Sequence, residues 1–201
     1  MTPRRTKAGR PVQDTLERPR LLVAVFGSAD AKEGDPLYEL ARRVGKLLVD
    51  AGYGVVTGGY GGVMEGANRG AAEAGGASVG VTCAAFSGRT PNRFLTERRE
   101  TADLFARTAL LIDAACGYVV LHGKSGTLAE LTFVWALHRA GSLGPRPVVL
   151  LGDAWRPFLH HLVRGAMIED DQLAITRVAE GPEEAVMALD RFLVAEGARG
   201  E

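Results

Sequence analysis

The sequence predicts an α/β protein: a doubly wound, mainly parallel sheet with helices on both faces. Two observations lead there. Short, largely apolar runs alternate with stretches whose apolar residues recur at helical spacing, the pattern of parallel strands buried on both faces. Three of the strand-to-helix junctions are also glycine-bearing turns, at Gly27-Ser28, Gly58–Gly62 and Gly123–Thr127. In open sheets of this kind, ligands bind beyond the C-terminal ends of the strands, near the point where strand order reverses.

The elements follow in order. Leu21–Phe26 is a buried strand closed by Gly27-Ser28-Ala29. Leu37, Leu40, Ala41, Val44, Leu47 and Leu48 share one helical face, and that helix stops at Gly52. Tyr53–Thr57 is the second strand, and Val63–Ala74 is a helix with Met64, Ala67, Ala71 and Ala74 on one face. Ala77–Thr82 is the third strand. From Cys83 to about Glu100 the chain is polar and aperiodic, with Arg89, Arg93, Arg98 and Arg99, and reads as a long loop of the kind that serves as a lid or carries function. Thr101–Ala115 is helical and Gly117–Leu121 is a strand. The turn at His122–Ser125 then opens a helix running to about Ala140. Pro147–Leu151 (strand), Trp155–Ile168 (helix), Ile175–Val178 (strand) and Pro182–Ala195 (helix) complete the domain. The helices around Trp135 and Trp155 suit either a dimer face or plain core packing.

The chain of 201 residues suits one domain, over 21–198, preceded by a basic tail over 1–20 that reads as flexible. Lys+Arg and Asp+Glu stand at 24 each, so no net field draws in nucleic acid or an anionic membrane, and any anion site must be local. Arg4-Arg5 is followed by no apolar stretch, and no run of about 18 apolar residues occurs, so neither a secretory signal nor a membrane span is expected. Cys83 and Cys116 lie outside any CxxC pattern and read as reduced thiols of a cytoplasmic protein. His122, His138, His160 and His161 lack metal-ligand spacing, so neither a metal nor a resident cofactor is expected.

Among 26 glycines, those between Gly52 and Gly80 are the densest, a first pointer to function. His122-Gly123-Lys124-Ser125-Gly126-Thr127 has the form strand, Gly-x-x-Gly-Thr, helix. Unpaired N–H groups and the positive end of the dipole make such a helix start attractive to phosphate, and glycine lets the anion approach the backbone. Lys124 adds a charge and Thr127 a hydroxyl, although a tight turn without ligand has the same form. The string is not a Walker A loop, because that motif needs a glycine five positions before Gly123 and Tyr118 stands there. Nor does a GxGxxG fingerprint follow the first strand. Gly58-Gly59-Tyr60-Gly61-Gly62-Val63-Met64-Glu65 is a second such junction, richer in glycine than a turn requires. Glu65 there either complements the helix dipole or contacts a ligand. Glu130, three residues beyond Thr127, either caps the helix start or faces a bound sugar. Arg107 lies mid-helix among Leu104, Phe105, Leu110 and Leu111.

Together these residues resemble the LONELY GUY (LOG) family, long labelled "lysine decarboxylase-like". The resemblance runs from about Leu21 to Gly152 and rests on Val25-Phe26-Gly27-Ser28-Ala29, on Gly58 through Ala71, on Arg107 through Leu121, and on Gly123-x-x-Gly126-Thr127-x-x-Glu130. It implies a Rossmann-like fold and a homodimer or higher oligomer. It implies a nucleoside 5′-monophosphate phosphoribohydrolase, which releases an adenine-type base, cytokinins included, from ribose 5-phosphate. The family motif PGGxGTxxE puts its Glu on Glu130. Its Arg, fifteen residues before the motif Pro, falls on Arg107, not on Arg98 or Arg99.

The resemblance thus implies Glu130 and Arg107 as catalytic groups, with Gly123, Lys124, Ser125, Gly126 and Thr127 around the phosphate. Gly27, Ser28, Gly58, Gly59, Gly61, Gly62 and Met64 would form the remaining wall. The chain departs from the pattern where His122-Gly123-Lys124 replaces Pro-Gly-Gly, and where Phe105-Ala106-Arg107-Thr108 replaces His-x-Arg-Lys. A subset of the same superfamily carries the molybdenum cofactor, a pterin with a terminal phosphate, without hydrolysing it. A carrier of such a ligand is therefore the alternative to the enzyme. A pyridoxal-phosphate lysine decarboxylase is not expected, since no lysine-bearing cofactor site is recognisable.

Overall fold

The computed structural model describes residues 21–86 and 88–197; the tail expected over 1–20 lies outside the described residues. Seven strands form one sheet, every neighbouring pair parallel. They are β1 (Leu22–Phe26), β2 (Gly54–Thr57), β3 (Ser78–Cys83), β4 (Glu97–Thr101), β5 (Ala115–Val120), β6 (Val148–Leu151) and β7 (Thr176–Ala179). The helices are α1 (Pro36–Asp50), α2 (Val63–Glu73), α3 (Leu104–Asp113), α4 (Ser125–Arg139), α5 (Trp155–Arg164), α6 (Asp170–Ala174) and α7 (Pro182–Ala195). The strand order is β4-β3-β2-β1-β5-β6-β7, so the chain winds outward from β1 to one edge and then crosses back to β5. The switch point therefore lies between β1 and β5, and the turns after those two strands open side by side.

The two-residue period of the strands divides the core in two. Val23 and Val25 of β1, with Val119 of β5, face a cluster completed by Val44 and Leu48 of α1, Ala67 and Ala71 of α2, and Leu189 of α7. Ala24 and Phe26, with Tyr118 and Val120, face the opposite cluster of Leu111 and Ile112 of α3 and Leu131, Val134 and Trp135 of α4. Trp135 and Trp155 are both buried in this second cluster, which settles them as core residues. Among the described residues no helix is long and apolar enough to cross a membrane.

The segment from Cys83 to Glu100 is not loop throughout: it ends in β4, whose sequence Glu-Arg-Arg-Glu-Thr lacks the apolar character by which strands were recognised. β4 is the sheet edge. There, charged side chains face water and discourage further pairing. Arg99 pairs with Glu97 at 2.7 Å, Arg98 pairs with Glu100, and Arg98 Nε donates to Thr82 Oγ1 at 3.0 Å. Because Thr101 belongs to β4, α3 starts later than its periodicity suggests, at Leu104, where Asp103 caps the Ala106 N–H at 2.9 Å. Likewise, the helix expected to reach Ile168 ends at Arg164. The five-residue α6, too short to show a period, follows with a Glu169/Gln172 capping box.

α1 and α2 pack backbone to backbone, and this explains part of the glycine excess. A Cβ on Gly45 would stand 2.0 Å from the Ala67 carbonyl oxygen, and one on Gly70 would stand 1.8 Å from that of Arg42. Gly45→Ala and Gly70→Ala should each cost about 1–3 kcal/mol through overpacking against main chain. Gly144→Ala, where an added Cβ meets nothing within 4 Å, should be close to neutral. Urea unfolding of the three variants checks this; equal midpoints would refute the seam.

Candidate functional site

Three turns meet above the switch point, and one residue ties them together. The Ser28 N–H donates to the His122 carbonyl at 3.0 Å, and the Ser28 carbonyl accepts from the Val63 N–H at 2.9 Å. The turn after β1 is thereby joined to the turn after β5 and to the start of α2. Beneath them opens a cleft of about 340 Å³. Of the sequence-predicted residues, Gly27, Ser28, Gly58 and Met64 line one side, and Lys124, Gly126 and Thr127 line the other. Arg107 and Glu130 line it as well.

Gly59, Gly61, Gly62, Gly123 and Ser125 stand behind that lining. The Gly59 N–H donates to Thr57 Oγ1 at 3.0 Å and its carbonyl accepts from the Asn92 N–H at 2.9 Å. Gly62 is the N-cap of α2 at φ 73°, packed so closely on Ser28 that a Cβ would lie 2.3 Å from its carbonyl oxygen. A Cβ on Gly123 would meet Thr127 Oγ1 at 2.1 Å, so glycine there lets the turn close over the first turn of α4. Ser125 opens that helix, and Lys124 holds the N-cap position without a side-chain cap bond. Among the described residues the first N–H groups of α4 thus have neither an intrahelical partner nor a capping side chain, which suits them to an anion. Glu65 does not line the cleft; it accepts a 3.5 Å hydrogen bond from the Tyr38 hydroxyl on the α1 side.

The chemistry concentrates on Arg107 and Glu130. Arg107 Nη1 lies 3.6 Å from Glu130 Oε1, with side chains only 8% and 15% exposed. Arg107 Nε donates to the Val81 carbonyl at 2.9 Å, and Nη2 lies 3.9 Å from Met64 Sδ. The guanidinium also faces the rings of Tyr60 and Phe86 at 5.9 and 5.8 Å. It fills the space above Gly58, where a Cβ would sit 1.6 Å from Nη2. Glu130 has no hydrogen bond to Thr127 among the described residues, and its carboxylate pairs with Arg107 instead. Burial pushes the Glu130 carboxyl up from its ordinary 4.5 to about 7, and the charge of Arg107 only partly opposes this. At neutral pH this carboxyl is therefore poised between acid and base.

Sequence reasoning missed the supports of this pair. The Tyr60 hydroxyl donates to the Cys83 carbonyl at 3.2 Å and accepts from the Cys83 N–H at 2.9 Å, fixing the ring beside Phe86. Asn68, wholly buried, accepts from Thr57 Oγ1 at 2.6 Å and from Asn92 Nδ2 at 3.1 Å, and donates to Ser78 Oγ at 2.9 Å. This network braces the glycine turn after β2. An aromatic residue set among glycines was the one available signal for Tyr60; Asn92, 24 residues from Asn68, had none. Asp30, Phe86, Arg89, Leu104 and Thr108 also line the cleft. Among the described residues no group of three or more His, Cys, Asp or Glu side chains is placed to hold a metal ion.

The SLOG cluster4 family model matches residues 20–174, most of the chain and every element of this site. The chain belongs to the SLOG cluster4 family. The resemblance to LOG proteins holds at the level of the SLOG/LOG-like superfamily. A protein of Archaeoglobus fulgidus is 30% identical over 131 residues, which cover 65% of this chain and 83% of that one. The molybdenum cofactor carrier protein of Chlamydomonas reinhardtii superposes with a TM-score of 0.67 at 25% identity, over 88% of this chain and 99% of that one. The molybdenum cofactor binding protein of Rippkaea orientalis gives 0.69 at 20% identity, over 87% and 98%, a likeness of fold.

The Glu130 carboxyl makes stability depend on pH. Above about 7 the group is ionised both folded and unfolded, and the folded state bears the full cost of burying the charge. As pH falls from 7 towards 4.5, the folded state binds a proton that the unfolded state does not, so stability rises relative to a chain lacking the group. Glu130→Gln abolishes this increment. Between pH 8 and pH 5 the stability of the wild type relative to the variant should improve by up to roughly 3 kcal/mol. Parallel curves of stability against pH would disprove the raised carboxyl.

Proposed function

We propose that the protein is an N-glycosidase acting on nucleoside 5′-monophosphates, releasing a purine-type base from ribose 5-phosphate. The observation that carries this reading is the buried Arg107–Glu130 pair beneath the start of α4, with its carboxyl poised near neutrality. Cleavage of the C1′–N bond builds positive charge on the ribose, and an adjacent carboxylate in a low-dielectric floor stabilises that charge. Glu130 would do this and take a proton from the attacking water. Arg107, whose charge is permanent, would fix the ribose phosphate or offset the charge of the departing base. The amides of Ser125, Gly126 and Thr127 would receive the 5′-phosphate. Tyr60, Phe86 and Leu104 offer an apolar wall to the base.

A second reading is a non-hydrolytic carrier of a phosphorylated pterin such as the molybdenum cofactor. The likeness to the Chlamydomonas carrier favours it, as does Lys124 in place of the motif glycine. In either role we take the chain to work as a homo-oligomer. The exposed Leu104 and Phe105 of α3 and Phe133 of α4 support that.

Incubation with AMP should release adenine, and Glu130→Ala should lower the rate about 100-fold or more. Because the ionised carboxyl is the working form, kcat/KM should climb with pH up to about 7 and then level off. Equal background release by wild type and Glu130→Ala would end the enzyme reading. Tight binding of molybdopterin without base release would establish the carrier instead.

A further inference from the structure

Above the buried pair, the mouth of the cleft holds side-chain charges beyond the backbone amides assigned to the 5′-phosphate, one of them on the phosphate turn itself. Lys124 Nζ lies 2.6 Å from Asp30 Oδ2, joining the turn after β5 to the turn after β1 across the opening. Both side chains are well exposed, at 78% and 65%, and such a pair is readily exchanged for a better partner. Asp30 is held in place by its own N–H, which donates to Ser28 Oγ at 3.2 Å. Arg89 lines the cleft from the segment after β3, with its guanidinium 5.0 Å from the Phe86 ring and 6.0 Å from that of Tyr60. It is near enough to Asp30 to help Lys124 hold that carboxyl below its ordinary range. Among the described residues the mouth therefore carries two cations, Lys124 and Arg89, against one anion, Asp30.

We propose that Lys124 and Arg89 form a second anion subsite at the cleft mouth, which takes the outer phosphate of a nucleoside 5′-diphosphate. The inference rests on the phosphate-binding part of the reading above but not on hydrolysis. With the inner phosphate on the α4 amides, the outer one extends toward solvent, where Lys124 leaves Asp30 to meet it. Arg89 closes the other side, its guanidinium backed by the two aromatic rings. Asp30 sets the threshold. A monophosphate leaves the Lys124–Asp30 pair intact, whereas a diphosphate offers Lys124 a more highly charged partner.

Calorimetric titration of the full chain with AMP and with ADP tests this. The wild type should bind ADP about tenfold more tightly than AMP, and the preference should shrink as salt rises, because the groups are exposed. Lys124→Gly and Arg89→Ala alter exposed or cleft-lining side chains outside the core, and each should bring the ADP/AMP affinity ratio toward one. Asp30→Asn, which frees Lys124, should raise ADP affinity. Equal affinities in the wild type, or a ratio unchanged by both cation variants, would overturn the subsite while leaving the monophosphate reading standing. Binding of neither nucleotide would overturn the phosphate site, and the subsite with it.

Discussion

Everything around the cleft is arranged to keep one permanent positive charge out of water. Arg107 cannot shed its proton, so burying its guanidinium demands partners on every side. The sheet supplies the Val81 carbonyl, α4 supplies the Glu130 carboxylate, and Tyr60 and Phe86 present their faces. Gly58 supplies room, since any side chain there would overlap the guanidinium. Four separate stretches of chain thus converge on one residue of α3. The glycine turn after β2 and the first turn of α4 are the walls of a site whose floor is this ion.

The same burial sets the chemistry. A carboxylate beside an arginine in water would be firmly ionised. Here the desolvation of Glu130 outweighs the attraction of its neighbour, and the proton is held to about pH 7. A group that both holds and releases a proton near neutrality can serve as acid or base, and an anion arriving above it would add a negative charge to the same small space. Charge in the cleft is therefore layered: a buried, partly neutral floor, a ring of backbone amides at the start of α4, and a mobile-charge rim of Lys124, Asp30 and Arg89.

Much of this was legible in the sequence. The strands at the centre of the sheet are mostly apolar, and their glycine turns marked the three loops that meet. The resemblance to the LOG motif singled out Arg107 and Glu130, 23 positions apart in the sequence. What escaped notice was whatever depends on contacts rather than patterns. β4 is built of Glu and Arg, because an edge strand needs solubility and not burial. α6 has too few residues to repeat. Asn68 and Asn92 act by meeting each other beneath the turn after β2, and nothing in either neighbourhood announces it. The dense glycines between Gly52 and Gly80 pointed to function, yet Gly66 and Gly70 among them let α2 touch the backbone of α1.

That contact reaches beyond packing. The cleft wall is carried by the N-terminal end of α2, where Gly62 and Met64 sit, while Gly70 lies on the stretch clamped against α1. At Gly45 and Gly70 the backbone of one helix meets a carbonyl of the other with no side chain between to absorb a shift, so α2 answers displacement there as a rod. A change on the outer surface of α1 would then be felt as a misplaced wall in the cleft. Variants there would masquerade as lesions of the cleft, and a search for functional positions confined to its lining would overlook the helix that aims it.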